Sequence, residues 1–127
     1  NGLKLAGYVA LAGGRPEGLA NYRLADGDCE LVTLYSGRPG IGIGSALLEA
    51  VKETAQRAAC QRLWLITTND NMAALRFYQR RGFCLVALHR NAVVASRKLK
   101  PEIPMIGAGG IPLRDELELE LLLVEAI

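Results

Sequence analysis

The sequence has little of what builds metal, disulfide or membrane chemistry. It holds one histidine and three cysteines, with no CxxC pair. That is too few ligands in any zinc spacing, so no metal is expected. Cys29, Cys60 and Cys84 are odd in number, far apart and each in an apolar context. They read as small reduced core residues of a cytoplasmic protein. No apolar run approaches bilayer length, and the start lacks a charged-then-apolar signal pattern, so no membrane partner is expected. Neither charge sign dominates: 15 basic and 13 acidic residues leave a net +2. Nucleic acid is therefore not expected as a main partner either. The first residue is Asn1 rather than methionine, as in a chain whose start has been trimmed or cut from something longer.

What is present suits one domain. The 127 residues are half hydrophobic, enough for one core and too few for two ordinary ones. Leu5–Leu11 is an apolar strand candidate ending at the loop Gly13-Gly14-Arg15-Pro16, and Leu19–Leu24 is a second. Asp26-Gly27 is a hairpin turn signal, and Cys29–Tyr35 follows as a third strand. Leu47, Val51, Ala55 and Ala58 recur at helical spacing within Ala46–Ala59. Arg62–Thr67 is a nearly all-apolar strand. Asn69 or Asp70 can cap a helix that carries Ala74, Phe77 and Tyr78 on one stripe and ends at Gly82. Phe83–Leu88 reads as a strand, Asn91–Leu99 as a short helix, Lys100–Pro112 as a Pro/Gly-rich loop, and Leu117–Val124 as a last strand. The order is β-β-β-α-β-α-β-(α)-β, an α+β domain with a mixed sheet.

Ser36–Ser45 is dense in glycine and opens directly into a helix. Such a turn binds phosphate, because successive backbone N–H groups converge and the helix start adds partial positive charge. Arg38 stands beside it. The Walker pattern fails, since no Gly-Lys-Ser/Thr follows. The dinucleotide GxGxxG fails strictly, since Gly40, Gly42 and Gly44 read GxGxG, although Asp70 ends the next strand where a ribose-binding acid would stand. Alone, the turn is equally well explained as a tight β–α connection.

A second motif breaks the tie. Asn71–Phe83 has the form NxxAxxFYxxxGF, and with RPGIGIGSALL (Arg38–Leu48) it closely resembles the GNAT superfamily of acyl-CoA N-acyltransferases, mainly over Cys29–Leu88. The resemblance implies a mixed, mostly antiparallel sheet flanked by helices. It implies an enzyme that moves an acetyl group from acetyl-CoA to a primary amine, with a truncated, non-catalytic coenzyme A-binding module as the alternative; a nucleotide-binding fragment, resting on the glycine turn, is a third reading.

Carried over residue by residue, Arg38, Gly40, Ile41, Gly42, Gly44 and Ser45 would cradle the coenzyme pyrophosphate. Counted from Gly42 and Gly44, the family's basic position falls on Pro39, which has no N–H; anchored on Arg38, the turn is longer than usual. Cys29–Tyr35 corresponds to the coenzyme-binding strand, with an N–H at Leu34 or Tyr35 polarising the thioester carbonyl. Asn71 matches the asparagine beside the pantetheine. Tyr78 matches the tyrosine that protonates the leaving thiolate. A phenol of pKa about 10 gives a proton to a thiolate of conjugate pKa about 8.5 only with help from the site. Glu30 is the first candidate base and Glu17 a weaker one; His89 and the basic patch Arg76, Arg80 and Arg81 read as surface features. Family members begin with a strand and one or two helices on the acceptor side. Here about 28 residues precede the coenzyme-binding strand, so the chain is expected to be N-terminally short, with the acceptor site open, roofed by Lys100–Pro112, or completed by a homodimer partner that covers an exposed sheet edge.

Overall fold

The computed structural model describes residues 5–37 and 42–123. Among these, the elements run β1 (Ala6–Ala12), β2 (Arg15–Ala25), β3 (Asp28–Ser36), α1 (Ile43–Arg57), β4 (Arg62–Thr68), α2 (Met72–Gln79), β5 (Cys84–His89), α3 (Ala92–Leu99), a 3-10 turn at Ala108–Gly110, and β6 (Glu116–Leu122). The order matches the expected one. Strand pairing is mixed and mostly antiparallel, so the α+β class holds. The chain divides into two compact units: residues up to Trp64 with Leu122 and Leu123, and Leu65–Leu121.

In the first unit, β1, β2 and β3 form an antiparallel meander, and β3 pairs in parallel with the start of β4. Both hairpins turn on two residues with positive φ, Gly13 and Gly14 (60° and 79°) and Asp26 and Gly27 (56° and 79°). That geometry matches the twist of the flanking strands. It also corrects the expected loop, because Arg15 and Pro16 already belong to β2. Pro16 is tolerated there beside a bulge: Ala10 faces Gly18 and Leu11 faces Pro16, which leaves Glu17 as the extra residue. Helix α1 begins at Ile43, earlier than expected. It ends at Arg57 because Ala59 turns left-handed (φ 57°), with the Cys60 N–H reaching Ala55 O at 3.0 Å. Its face of Ile43, Leu47, Leu48, Val51 and Ala55 is buried, as are Ala20, Cys29, Leu31 and Leu63. Thr54 also bonds the Tyr8 hydroxyl, tying α1 to β1.

In the second unit, β6 lies between β4 and β5 and is antiparallel to β5. Leu65, Tyr78, Phe83, Val93 and Leu119 are buried. Of the three cysteines, all free, Cys29 and Cys60 are buried as expected. Cys84 is exposed, because β5 is covered on neither face along most of its length. Val124 of the expected last strand lies outside the described residues. No helix among the described residues is long and apolar enough to cross a membrane.

Candidate active site

In the first unit, the start of α1 at Gly42 and Ile43 has features suited to an anion. Gly42 stands at the N-cap in the left-handed conformation (φ 79°, ψ 10°), which a side chain would strain. Among the described residues no side chain caps the helix, no acidic residue lies in its first turn, and nothing lies within 4 Å of where a Gly42 Cβ would be. Ile43 is buried and anchors the turn, while Gly44 and Ser45 continue it as the first helical residues. Helix-start N–H groups with a partial positive charge are thus presented beside Gly42. Arg38, Gly40 and Ile41 lie outside the described residues.

Strand β3 leads into this turn. Its ladder with β4 holds the pairs Cys29–Leu63 and Glu30–Trp64, leaving the peptide groups of Val32–Tyr35 that face away from β2 outside it. Leu34 and Tyr35 pair with Ala20 and Leu19, so ladder alternation turns one of their N–H groups toward β2 and the other away. Within β3, Asn21 faces Thr33 while Tyr22 faces Leu31, so Val32 is a bulged residue, with its side chain 41% exposed. A bulge bends the strand and re-aims its peptide groups. The sequence carried no signal for it, since a bulge is defined by the partner strand.

Glu30 accepts from Arg23 Nη2 at 2.5 Å and Nε at 3.2 Å, both at Oε1. No partner among the described residues engages Oε2. Glu17, the bulged residue of β2, receives the Gly37 N–H on its backbone carbonyl at 2.7 Å. A Cβ on Gly37 would meet Glu17 Oε2 at 3.2 Å and the Tyr35 hydroxyl at 3.6 Å, so these two side chains converge at the end of β3.

In the second unit, Asn71 rather than Asn69 or Asp70 caps α2, its Oδ1 accepting from Ala74 N at 3.0 Å. Asn71 is exposed, so its amide group still faces solvent. Gly82 (φ 94°) closes the helix as expected: Gly82 N–H reaches Gln79 O and Phe83 N–H reaches Tyr78 O, each at 3.1 Å. This places Tyr78 in the last turn, edge-on to Phe77 (centroids 5.1 Å) and Phe83 (5.3 Å). Burial alone pushes its phenol up from 10.0 to about 12. The group is therefore a proton donor at any physiological pH. Against a free thiolate of conjugate pKa about 8.5, the transfer is uphill by roughly 5 kcal/mol. It becomes feasible only where the thiolate is itself desolvated. Arg81 stacks on the Phe77 ring at 3.7 Å, which accounts for one of the three basic residues of α2. His89 lies within 3.2 Å of Glu118 Oε1 on an exposed face.

Asn69 and Asp70 do something the sequence did not disclose: they tie down the Pro/Gly-rich segment. Asn69 Oδ1 accepts from Arg114 N (3.0 Å) and Asp115 N (2.9 Å), and its Nδ2 donates to Pro112 O (2.9 Å). Asp70 accepts from Thr68 Oγ1 (2.5 Å) and Ala108 N (2.8 Å). The Thr68 hydroxyl first, and then the Ala108 N–H, hold its carboxyl below the usual range. An acid so engaged is not placed to read a ribose. Among the described residues no group of His, Cys, Asp and Glu could hold a metal ion.

Residues 4–83 match the model of the acetyltransferase (GNAT) family. The chain is 46% identical over 115 residues to the uncharacterized protein YdhI of Bacillus subtilis, covering 90% of this chain and 72% of that one. It is 47% identical over 100 residues to the uncharacterized protein YxbD of the same organism, covering 79% of this chain and 63%, less than two thirds, of that one. Among solved structures it resembles a Bacillus subtilis acetyltransferase in complex with CoA. The TM-score is 0.81 at 24% identity, over 94% of this chain and 78% of that one, a likeness of fold. With the family model covering most of the chain and YdhI matching nearly all of it, this protein belongs to the acetyltransferase (GNAT) family.

Proposed function

We propose that the chain is an N-acetyltransferase, a single domain that moves the acetyl group of acetyl-CoA directly to a primary amine in a ternary complex. The observation that carries this is the start of α1 behind left-handed Gly42, without a side-chain cap bond at its N-cap among the described residues, a backbone anion site of the kind a pyrophosphate needs. Gly42, Gly44 and Ser45 hold the pyrophosphate there, together with Arg38, Gly40 and Ile41. Asn71 contacts the pantetheine. An N–H of β3, at Leu34, Tyr35 or the Val32 bulge, stabilises the oxyanion.

The step balances as follows. The neutral amine attacks the thioester carbon, the C–N bond forms and the C–S bond breaks. The amine's proton passes to Glu30 at Oε2, directly or through water, and the Tyr78 proton passes to the departing thiolate. The Bacillus subtilis acetyltransferase in complex with CoA and the family match support the coenzyme assignment. The three free thiols fit a reducing compartment, and we place the protein in the cytoplasm. Strand β1, at the edge of its sheet and exposing Val9 and Leu11, is the face we assign to a homodimer contact.

Thermal unfolding with acetyl-CoA, CoA and NAD tests the reading. Acetyl-CoA and CoA should raise Tm and NAD should not. Stabilisation by NAD alone would replace the coenzyme A site with a dinucleotide site.

A further inference from the structure

The second unit contains a cavity of about 300 Å³ that none of the roles above uses. Its lining combines four aliphatic side chains, Val93, Leu99, Ile103 and Leu113, with four polar ones, Thr68, Ser96, Lys100 and Glu116. The volume lies at the small end of metabolite sites. The segment that borders it is tied down rather than loose. Arg97 donates to three carbonyls along it, Ile103 O (3.1 Å), Pro104 O (2.9 Å) and Leu113 O (2.7 Å). Asn69 and Asp70 fix its far end through Pro112, Arg114, Asp115 and Ala108. A cavity held from both ends is preformed, so a ligand need not pay to organise it.

The charges decide the class of ligand. Several ionised groups around it are engaged within the protein: Asp115 accepts from Asn91 N and pairs with Arg114, Arg97 holds the segment, and Asp70 accepts two hydrogen bonds. Lys100 and Glu116 are the charged residues of the lining. They line one small cavity with opposite charges, yet among the described residues their side chains pair neither with each other nor with any other group. Opposite charges on one largely aliphatic lining complement a molecule with an ammonium, a carboxylate and an apolar side chain.

We propose that this cavity binds a small aliphatic α-amino acid or a close analogue. Glu116 takes the ammonium, Lys100 the carboxylate, and Val93, Leu99, Ile103 and Leu113 the side chain.

The test is calorimetric titration of the intact chain with leucine, isoamylamine and isovalerate, each also run on Glu116→Gln and Lys100→Met, with acetyl-CoA titrated in parallel. Leucine should bind the parent chain. Isoamylamine, lacking the carboxylate, and isovalerate, lacking the ammonium, should each bind about tenfold more weakly or not at all. Glu116→Gln and Lys100→Met should each weaken leucine by about tenfold or more and leave acetyl-CoA binding unchanged. Absence of leucine binding while acetyl-CoA binds would overturn the inference and leave the coenzyme reading standing. Leucine binding that neither substitution alters would overturn it as well. Amide chemical shifts at Ser96, Ile103 and Leu113 on titration with leucine check the location and the fold of each variant. A leucine response elsewhere would sink the assignment.

Discussion

Gly18 of β2 and Ile43 of α1 are in contact so close that only glycine fits. A Cβ on Gly18 would fall 2.5 Å from Ile43 Cγ2, 2.9 Å from Tyr35 O and 3.0 Å from Leu47 Cδ1. The missing side chain lets α1 begin directly against the sheet, so β2 sets where the helix start and its N–H groups point. Gly18→Ala should push the first turn of α1 away, costing about 1–3 kcal/mol by overpacking. Urea unfolding should show that loss, and acetyl-CoA affinity should fall with it. An unchanged affinity would mean that the helix start does not hold the coenzyme.

Tyr78→Phe keeps the ring that packs on Phe77 and Phe83 and removes only the hydroxyl. Steady-state kinetics should show kcat lower by about 10²–10⁴, with KM for acetyl-CoA unchanged and Tm held. A rise in KM with kcat preserved would move Tyr78 from proton donor to simple binding contact.

Alkaline pH should destabilise the fold through two buried groups. Burial pushes the Tyr78 phenol from 10.0 to about 12 and, with Cys60 and Glu30 adding repulsion, the Cys29 thiol from 9.0 to about 12. In both cases the folded state holds its proton more tightly than the unfolded chain does. Their contribution is therefore complete below pH 9 and is lost as pH rises toward 12. Tyr78 alone accounts for on the order of 3 kcal/mol across that window. Urea midpoints measured from pH 8 to 12 should fall, and Tyr78→Phe should flatten the part above pH 10. A pH-independent midpoint would contradict the burial of both groups.

Asn69→Ala removes both bonds to the Arg114 and Asp115 amides and the one to Pro112 O. Amide exchange at Arg114 and Asp115 should accelerate by about tenfold or more, while that of α1 stays protected. Acid should act on the same segment through Asp70, whose carboxyl is lowered by Thr68 and Ala108. Its contribution is present above pH 3.8 and lost as pH falls through the folded value. Exchange at Ala108 that is insensitive to acid would contradict that role.

Turn chemistry and periodicity made most elements legible. Asp26-Gly27 marked its hairpin, the spacing of Leu47, Val51 and Ala55 marked the buried face of α1, and Gly82 marked the end of α2. Asn69 or Asp70 was the expected cap of α2, although local sequence alone does not exclude the adjacent Asn71, which is the cap. The choice was made by contacts tens of residues away, which engage Asn69 and Asp70 and leave Asn71 for the helix. The bulges at Glu17 and Val32 were invisible for the same reason, since each depends on a partner strand. Cys84 looked like a core residue because its neighbours are apolar, and Leu85, Val86 and Leu88 turned out to be exposed with it. In the site, residue types were legible from the motif, whereas the pairing of Glu30 with Arg23 needed the β2–β3 register.

The most direct test is release of free coenzyme A thiol from acetyl-CoA by the intact chain across a panel of primary amines and amino acids, with mass analysis of the amine. The account predicts thiol released in step with an N-acetylated product for at least one amine, and none without amine. Binding of acetyl-CoA with no thiol release across the panel would contradict it and leave a coenzyme A-binding module in its place.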